Sequence, residues 1–208
     1  MKPSSRSKLL PAGAISGIVF YGLFLIQAMY RSDFDIRTDG ISLLSLGPHG
    51  WVQVLNFVLT GLLLLAGAVG LRGSLRGHSG GTWAPILVGV FGIGMIAAGA
   101  FPTDTPEQFE AGEHSTAGML HSMAFMVGFL GLTVACFVFA RMWATHGFKQ
   151  RSVACWIVGA SVPILIGIGS SIQSIASIVF AVMAVAPFVV LAMTMLWARN
   201  PQANPGIS

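Results

Sequence analysis

The chain has 208 residues, of which 54% are apolar and only 9% charged, with a formal charge of +4 and a mean hydropathy of +0.79. Soluble domains carry about 25% charged residues. A soluble globular domain, a disordered chain, a disulfide-rich secreted scaffold and a nucleic-acid binder are therefore excluded, despite a pI near 9.6.

Apolar runs of about 18 residues or more recur, each long enough to cross a bilayer as a helix. They fall at about 9–30, 51–71, 83–101, 118–143, 153–171 and 174–198. This predicts an all-α membrane protein, a six-transmembrane-helix bundle forming a single integral membrane domain over 1–208. Strands are excluded because the runs lack the alternation of barrel strands and lipid leaves no backbone group unpaired. Trp51, Trp83, Trp143, Trp156 and Trp197 lie near span ends, where amphipathic rings settle. The first run follows basic residues, as a secretory signal would, but it is too long and no small-residue cleavage site follows. It reads as a retained helix.

Six spans place both termini on one side. Lys2, Arg6, Lys8, Arg72, Arg76, Arg141, Lys149, Arg151 and Arg199 share that side, and only Arg31 and Arg37 lie opposite. The positive-inside rule makes both termini cytoplasmic. All seven acids, Asp33, Asp35, Asp39, Asp104, Glu107, Glu110 and Glu113, fall outside. Cys136 and Cys155 lie within spans four and five and read as small buried apolar groups. Glycines thin the third and fourth spans, and Ala124/Gly128 and Gly131/Ala135 are small-x-x-x-small pairs that allow close helix approach. Pro163 and Pro187 predict kinks in spans five and six.

No ionisable residue lies near a midplane, which argues against ion-coupled transport. Polar groups gather toward the outer side instead. Pro102 and Pro106 end the third span and hold Asp104 at the membrane face. His114 and His121 follow at a spacing of seven, on one helical face. Asp104 and His121 are the candidate acid–base pair. With His114 they form a trio that suits a divalent metal with an open position, or a carboxylate-oriented base. Each also has a plain reading: His114 as a solvated loop residue, and His121 as a buried ring that is hydrogen-bonded for structural reasons. A second polar group opens the second span: Ser42, Ser45, His49, Gln53 and Asn56. These are read as ligand-binding groups for a polar head, or as interhelical glue. Ser170, Ser171, Gln173, Ser174 and Ser177 are placed to close the pocket from a third side.

Two stretches resemble a known family. Ile41-Ser42-Leu43-Leu44-Ser45-Leu46-Gly47, Gly50-Trp51-Val52-Gln53, Asn56-Phe57 and Thr60-Gly61 form the first; Gly99-Ala100-Phe101-Pro102-Thr103-Asp104 with Gly118-Met119-Leu120-His121 form the second. Both are similar to signatures of a bacterial multi-pass membrane family, domain of unknown function 998. The resemblance implies six helices in a bacterial plasma membrane and draws attention to Gln53, Asn56, Asp104 and His121, but implies no reaction.

The leading expectation is an outward-facing polar pocket that binds or modifies an amphiphile, such as a lipid or isoprenoid-like molecule, from the surrounding membrane lipids. The alternative is a non-enzymatic scaffold or accessory subunit. A small-molecule transporter comes third. The lack of any His after His146 separates the chain from ceramidase-like intramembrane metal hydrolases.

Overall fold

The computed structural model describes residues 5–172 and 175–199. Lys2, Gln173 and Ser174 lie outside the described residues. Among the described residues every regular element is helical, and six spans are long and apolar enough to cross a membrane: Ser7–Tyr30, Gly50–Ser74, Trp83–Ala100, Thr116–Thr145, Lys149–Ser171 and Ser177–Arg199. The chain is a multi-pass membrane protein. The fourth span is longer than the hydropathy pattern implies, and the fifth begins four residues earlier, because polar residues extend both helices beyond their apolar cores.

Consecutive spans pack side by side, and the sixth returns against the first. Contact is closest where glycines remove the side chain. A Cβ on Gly61 would lie 2.5 Å from the Gly92 carbonyl oxygen, and one on Gly94 would lie 3.0 Å from the Gly128 Cα. Spans two, three and four are joined this way, since lipid supplies no hydrophobic force between helices. Spans one and two cross at Gly13, where a Cβ would lie 2.6 Å from the Gly67 Cα.

The interior is an aromatic series through five spans. Phe57 faces Phe20, Phe20 stacks on Phe188, Phe188 meets Phe91 and Phe91 meets Phe129, with ring centroids 5.3–6.1 Å apart. The prolines differ in effect. The sixth span is interrupted at Ala184, between helices Ala176–Met183 and Val185–Arg199. Pro187 explains the break, because it has no N–H to return to the Met183 carbonyl. Pro163, in contrast, sits within the unbroken helix Lys149–Ser171.

The connections at one end carry all seven acids, and this is called the acidic end. They include a 3-10 turn, Ile41–Ser45, and a short helix, Pro106–Ala111, that hydropathy does not reveal. That helix is built from local signals. Thr105 and Gln108 form a reciprocal capping box, Pro106 occupies the first turn, and Gly112 ends the helix at a φ of 70°.

Candidate functional site

The acidic end contains three polar groupings. In the first, Asp104 is 2% exposed and sits over the start of the fourth span. Its carboxylate accepts the Ser115 backbone N–H at 3.3 Å to each oxygen, and the Ser115 hydroxyl donates to Oδ1. Ser115 in turn accepts the Gly118 N–H at 2.9 Å. Ser115 is the N-cap, and Asp104 is an anion placed where the helix dipole favours one. Both follow from the two prolines, which keep residues 102–106 from continuing the third helix.

In the second, His121 is 5% exposed and uses both ring nitrogens. Nδ1 lies 3.0 Å from the Ala98 carbonyl and 2.9 Å from that of Phe101, and Nε2 lies 2.9 Å from the Ser42 hydroxyl. The carbonyls only accept, so Nδ1 carries the proton and Nε2 accepts from Ser42. Ala98 needs this donor because the residue four positions on is Pro102, which has no N–H. His121 thus ties the end of the third span and the Ile41–Ser45 turn to the fourth span.

In the third, Asn56 Nδ2 donates to the Phe20 carbonyl at 3.0 Å and to Gln53 Oε1 at 3.2 Å, while Thr60 donates to Asn56 Oδ1 at 3.4 Å. All three side chains are fully buried. Gln27, a residue the sequence reading missed, joins this corner. Its Nε2 donates to the Leu44 and His49 carbonyls at 3.0 and 3.1 Å. Two amide atoms are left over: Gln27 Oε1 and Gln53 Nε2 are buried without a partner. The partners of the other amide atoms fix both orientations, so neither amide can be turned over to remove the orphan.

The expected pocket is therefore reorganised. Gln53 and Asn56 do meet, but His121 makes no hydrogen bond to Asp104. His114 approaches Asp104 only to 3.8 Å with a half-exposed side chain, stacked edge-on to Phe109. Among the described residues no three His, Cys, Asp or Glu side chains assemble into a metal site. The suggested trio of Asp104, His114 and His121 does not form because His121 turns toward the carbonyls freed by Pro102, away from the cap. His49 begins the second span with no side-chain capping bond, and its ring is exposed; only its carbonyl joins the network. Ser45 donates within its own turn, to the Ser42 carbonyl at 2.6 Å. Ser171 bonds back to Gly167 within its own helix. Ser177 reaches the loops, donating to the Thr38 carbonyl.

A bidentate pair holds the 31–50 connection. Arg31 donates to Asp33 at 2.7 and 2.6 Å and to the Leu46 carbonyl at 3.0 Å. This guanidinium keeps the Asp33 carboxyl at about 2, below its ordinary 3.8.

A family model described as "Protein of unknown function (DUF998)" matches residues 14–198, from within the first span to the end of the sixth. No curated protein and no solved structure matches the chain.

Proposed function

The chain belongs to the DUF998 family, and from that premise we propose that it is a non-enzymatic accessory subunit of the bacterial plasma membrane, with cytoplasmic termini and a rigid outer platform for a partner. The observation that carries this reading is the helix Pro106–Ala111. It is fully capped, pinned on one side by Asp104 and Ser115, and buries none of its residues. A helix of six residues is too short to persist in water unaided. Its ordering serves to present Glu107, Phe109 and Glu110 to the outside, with Phe109 48% exposed. The acid–base candidates fit the same reading, since the Asp104 carboxylate caps a helix and both His121 nitrogens are hydrogen-bonded.

A second reading, in which the polar corner binds the head of an amphiphile, is favoured by one observation. Gln27 Oε1 and Gln53 Nε2 are an unpaired acceptor and an unpaired donor, and a hydroxyl group can satisfy both kinds.

The experiment is purification in detergent of the wild type, Asp104→Asn, His121→Ala and Gln53→Leu, with melting temperature, bound metal and co-purified lipid measured on each. The accessory reading expects lower melting for Asp104→Asn and His121→Ala, with only bulk lipid and no stoichiometric metal in any protein. A distinct amphiphile retained by the wild type and lost from a folded Gln53→Leu would replace it with the second reading. Loss of a stoichiometric metal from a folded His121→Ala would overturn both.

A further inference from the structure

The end of the bundle opposite the acids contains a slot between spans four, five and six. It has a volume of about 190 Å³ and is lined by Gln150, Arg151, Ala154, Cys155, Val190 and Met193, with Trp143 at its head. We propose that this slot binds an anionic phospholipid of the bilayer, with the phosphate at Arg151 and part of one acyl chain in the slot.

Charge complementarity is the first argument. Arg151 is half-buried, and its guanidinium lies 4.8 Å from the ring centres of both Trp143 and Phe148. Two rings hold the cation in place but do not neutralise it. No acidic side chain of the protein is placed to do so, because all seven lie between residues 33 and 113 at the acidic end. An anion supplied by the bilayer would complement this cation.

The second argument is the lining. Beyond Arg151 and Gln150 the slot is formed by Ala154, Cys155, Val190, Met193 and Thr194, whose hydroxyl is turned back to the Val190 carbonyl at 2.8 Å, and Met193 is 51% exposed along the span. An almost wholly apolar slot beside a half-buried cation matches a phosphate carrying a hydrocarbon chain and does not suit a free inorganic anion. Pockets that enclose a whole ligand run to roughly 300–1,000 Å³. At about 190 Å³ this slot holds part of a chain, leaving the remainder in the bilayer. Basic recesses between transmembrane helices hold anionic lipid heads in just this way.

The start of the fifth span adds to the attraction. Its N-cap, Phe148, makes no side-chain capping bond, and Lys149, Gln150 and Arg151 occupy the first turn with no acid among them. The dipole of this 23-residue helix therefore meets no acidic side chain in its own first turn.

The test is native mass spectrometry of the full chain in a zwitterionic detergent titrated with phosphatidylglycerol or with phosphatidylcholine. Wild type is expected to retain one phosphatidylglycerol in preference to phosphatidylcholine. Arg151→Ala is expected to weaken retention about fivefold, the order of one basic contact at a membrane surface. Met193→Trp, which fills the slot from its lipid-facing side and leaves the core intact, is expected to weaken it while keeping Arg151. Arg141→Ala, an exposed cation at the same end, is expected to leave it unchanged. Equal loss in Arg141→Ala and Arg151→Ala would overturn the site in favour of general surface charge. Full retention in Met193→Trp would overturn the slot as the chain seat. Equal retention of the two lipids by the wild type would overturn the proposal outright.

Discussion

The carboxylate of Asp104 and the hydroxyl of Ser115 share a hydrogen bond at the point where the fourth span begins. The residue that carries most chemistry on paper is committed to holding a helix end. Removing it has a definable cost. Asp104→Ala deletes the acceptor for the Ser115 N–H and leaves that donor partly buried, a loss of about 2 kcal/mol from capping and unsatisfied-donor terms together. Asp104→Asn keeps an oxygen acceptor and is expected to cost less than half as much. Thermal unfolding in detergent checks the order wild type, Asn, Ala. Equal melting of all three would refute the structural role.

Gly118 supplies a sharper test of the same geometry. A Cβ there would lie 2.1 Å from Asp104 Oδ2 and 2.2 Å from its Cγ, so Gly118→Ala alone forces the carboxylate off the cap. Once Asp104 is alanine, the obstruction is gone, and the helix preference for Ala over Gly, up to about 1 kcal/mol, becomes visible. Gly118→Ala is therefore expected to destabilise the wild type and to be neutral or stabilising in Asp104→Ala. A double-mutant cycle should give a coupling of at least about 1 kcal/mol. Additive effects would show that the two residues do not touch.

The six spans were legible because hydropathy and length are properties of single segments, and lipid admits no alternative to the helix. The site was legible only in its membership. Gln53, Asn56, Asp104 and His121 are all buried, as expected of polar residues near a membrane face. Their partners were not, because three of them are backbone carbonyls: Phe20 for Asn56, and Ala98 and Phe101 for His121. One signal was available and unused. Pro102 leaves the Ala98 carbonyl without its helical donor, so a donor had to be found nearby. Gln27 was missed because one amide in an otherwise apolar span hardly alters its hydropathy. The helix Pro106–Ala111 was hidden for the opposite reason, being polar and short and specified by Thr105, Gln108 and Gly112.

The crossing of spans one and two predicts a position-specific intolerance. Gly13 and Gly67 meet backbone to backbone, so a side chain on Gly13 cannot be relieved by a rotamer change of its neighbour. Met195 also presses on this point, 2.6 Å from the same Cβ position, but its thioether can move. Gly13→Val is expected to abolish a monodisperse peak in size-exclusion chromatography, and adding Met195→Ala should not restore it. Gly22, on the same span, has nothing within 4 Å of its Cβ position, and Gly22→Ala should purify as the wild type does.

Cys136 and Cys155 are 0% and 3% exposed and lie in the core. Neither thiol is expected to react with a maleimide in the folded protein, and both should react after denaturation. Mass spectrometry of the labelled chain reads this directly. Modification of Cys136 in the native protein would place spans four and five further apart than described, whereas modification of Cys155 alone would show that the slot it lines admits the reagent.

The inertness of these thiols allows a single probe to report on the 31–50 connection. Arg31 holds the Asp33 carboxyl at about 2, against an ordinary value of 3.8, so the folded loop prefers the ionised form. The sign follows from that depression. The contribution is complete above about pH 5, where the carboxylate is ionised with or without the loop in place. It declines below that and is lost as the pH falls through about 2. Asp33 is fully exposed, and the effect is confined to the loop, whose other tie from Arg31 to the Leu46 carbonyl survives. A fluorophore on Arg37→Cys, 80% exposed at its side chain, should show anisotropy that is constant above about pH 5 and falls toward pH 2. Asp33→Asn should lower the anisotropy at neutral pH and remove the dependence. A wild-type profile that stays flat to pH 2, with the helices intact by circular dichroism, would mean that the Arg31–Asp33 pair does not hold the loop.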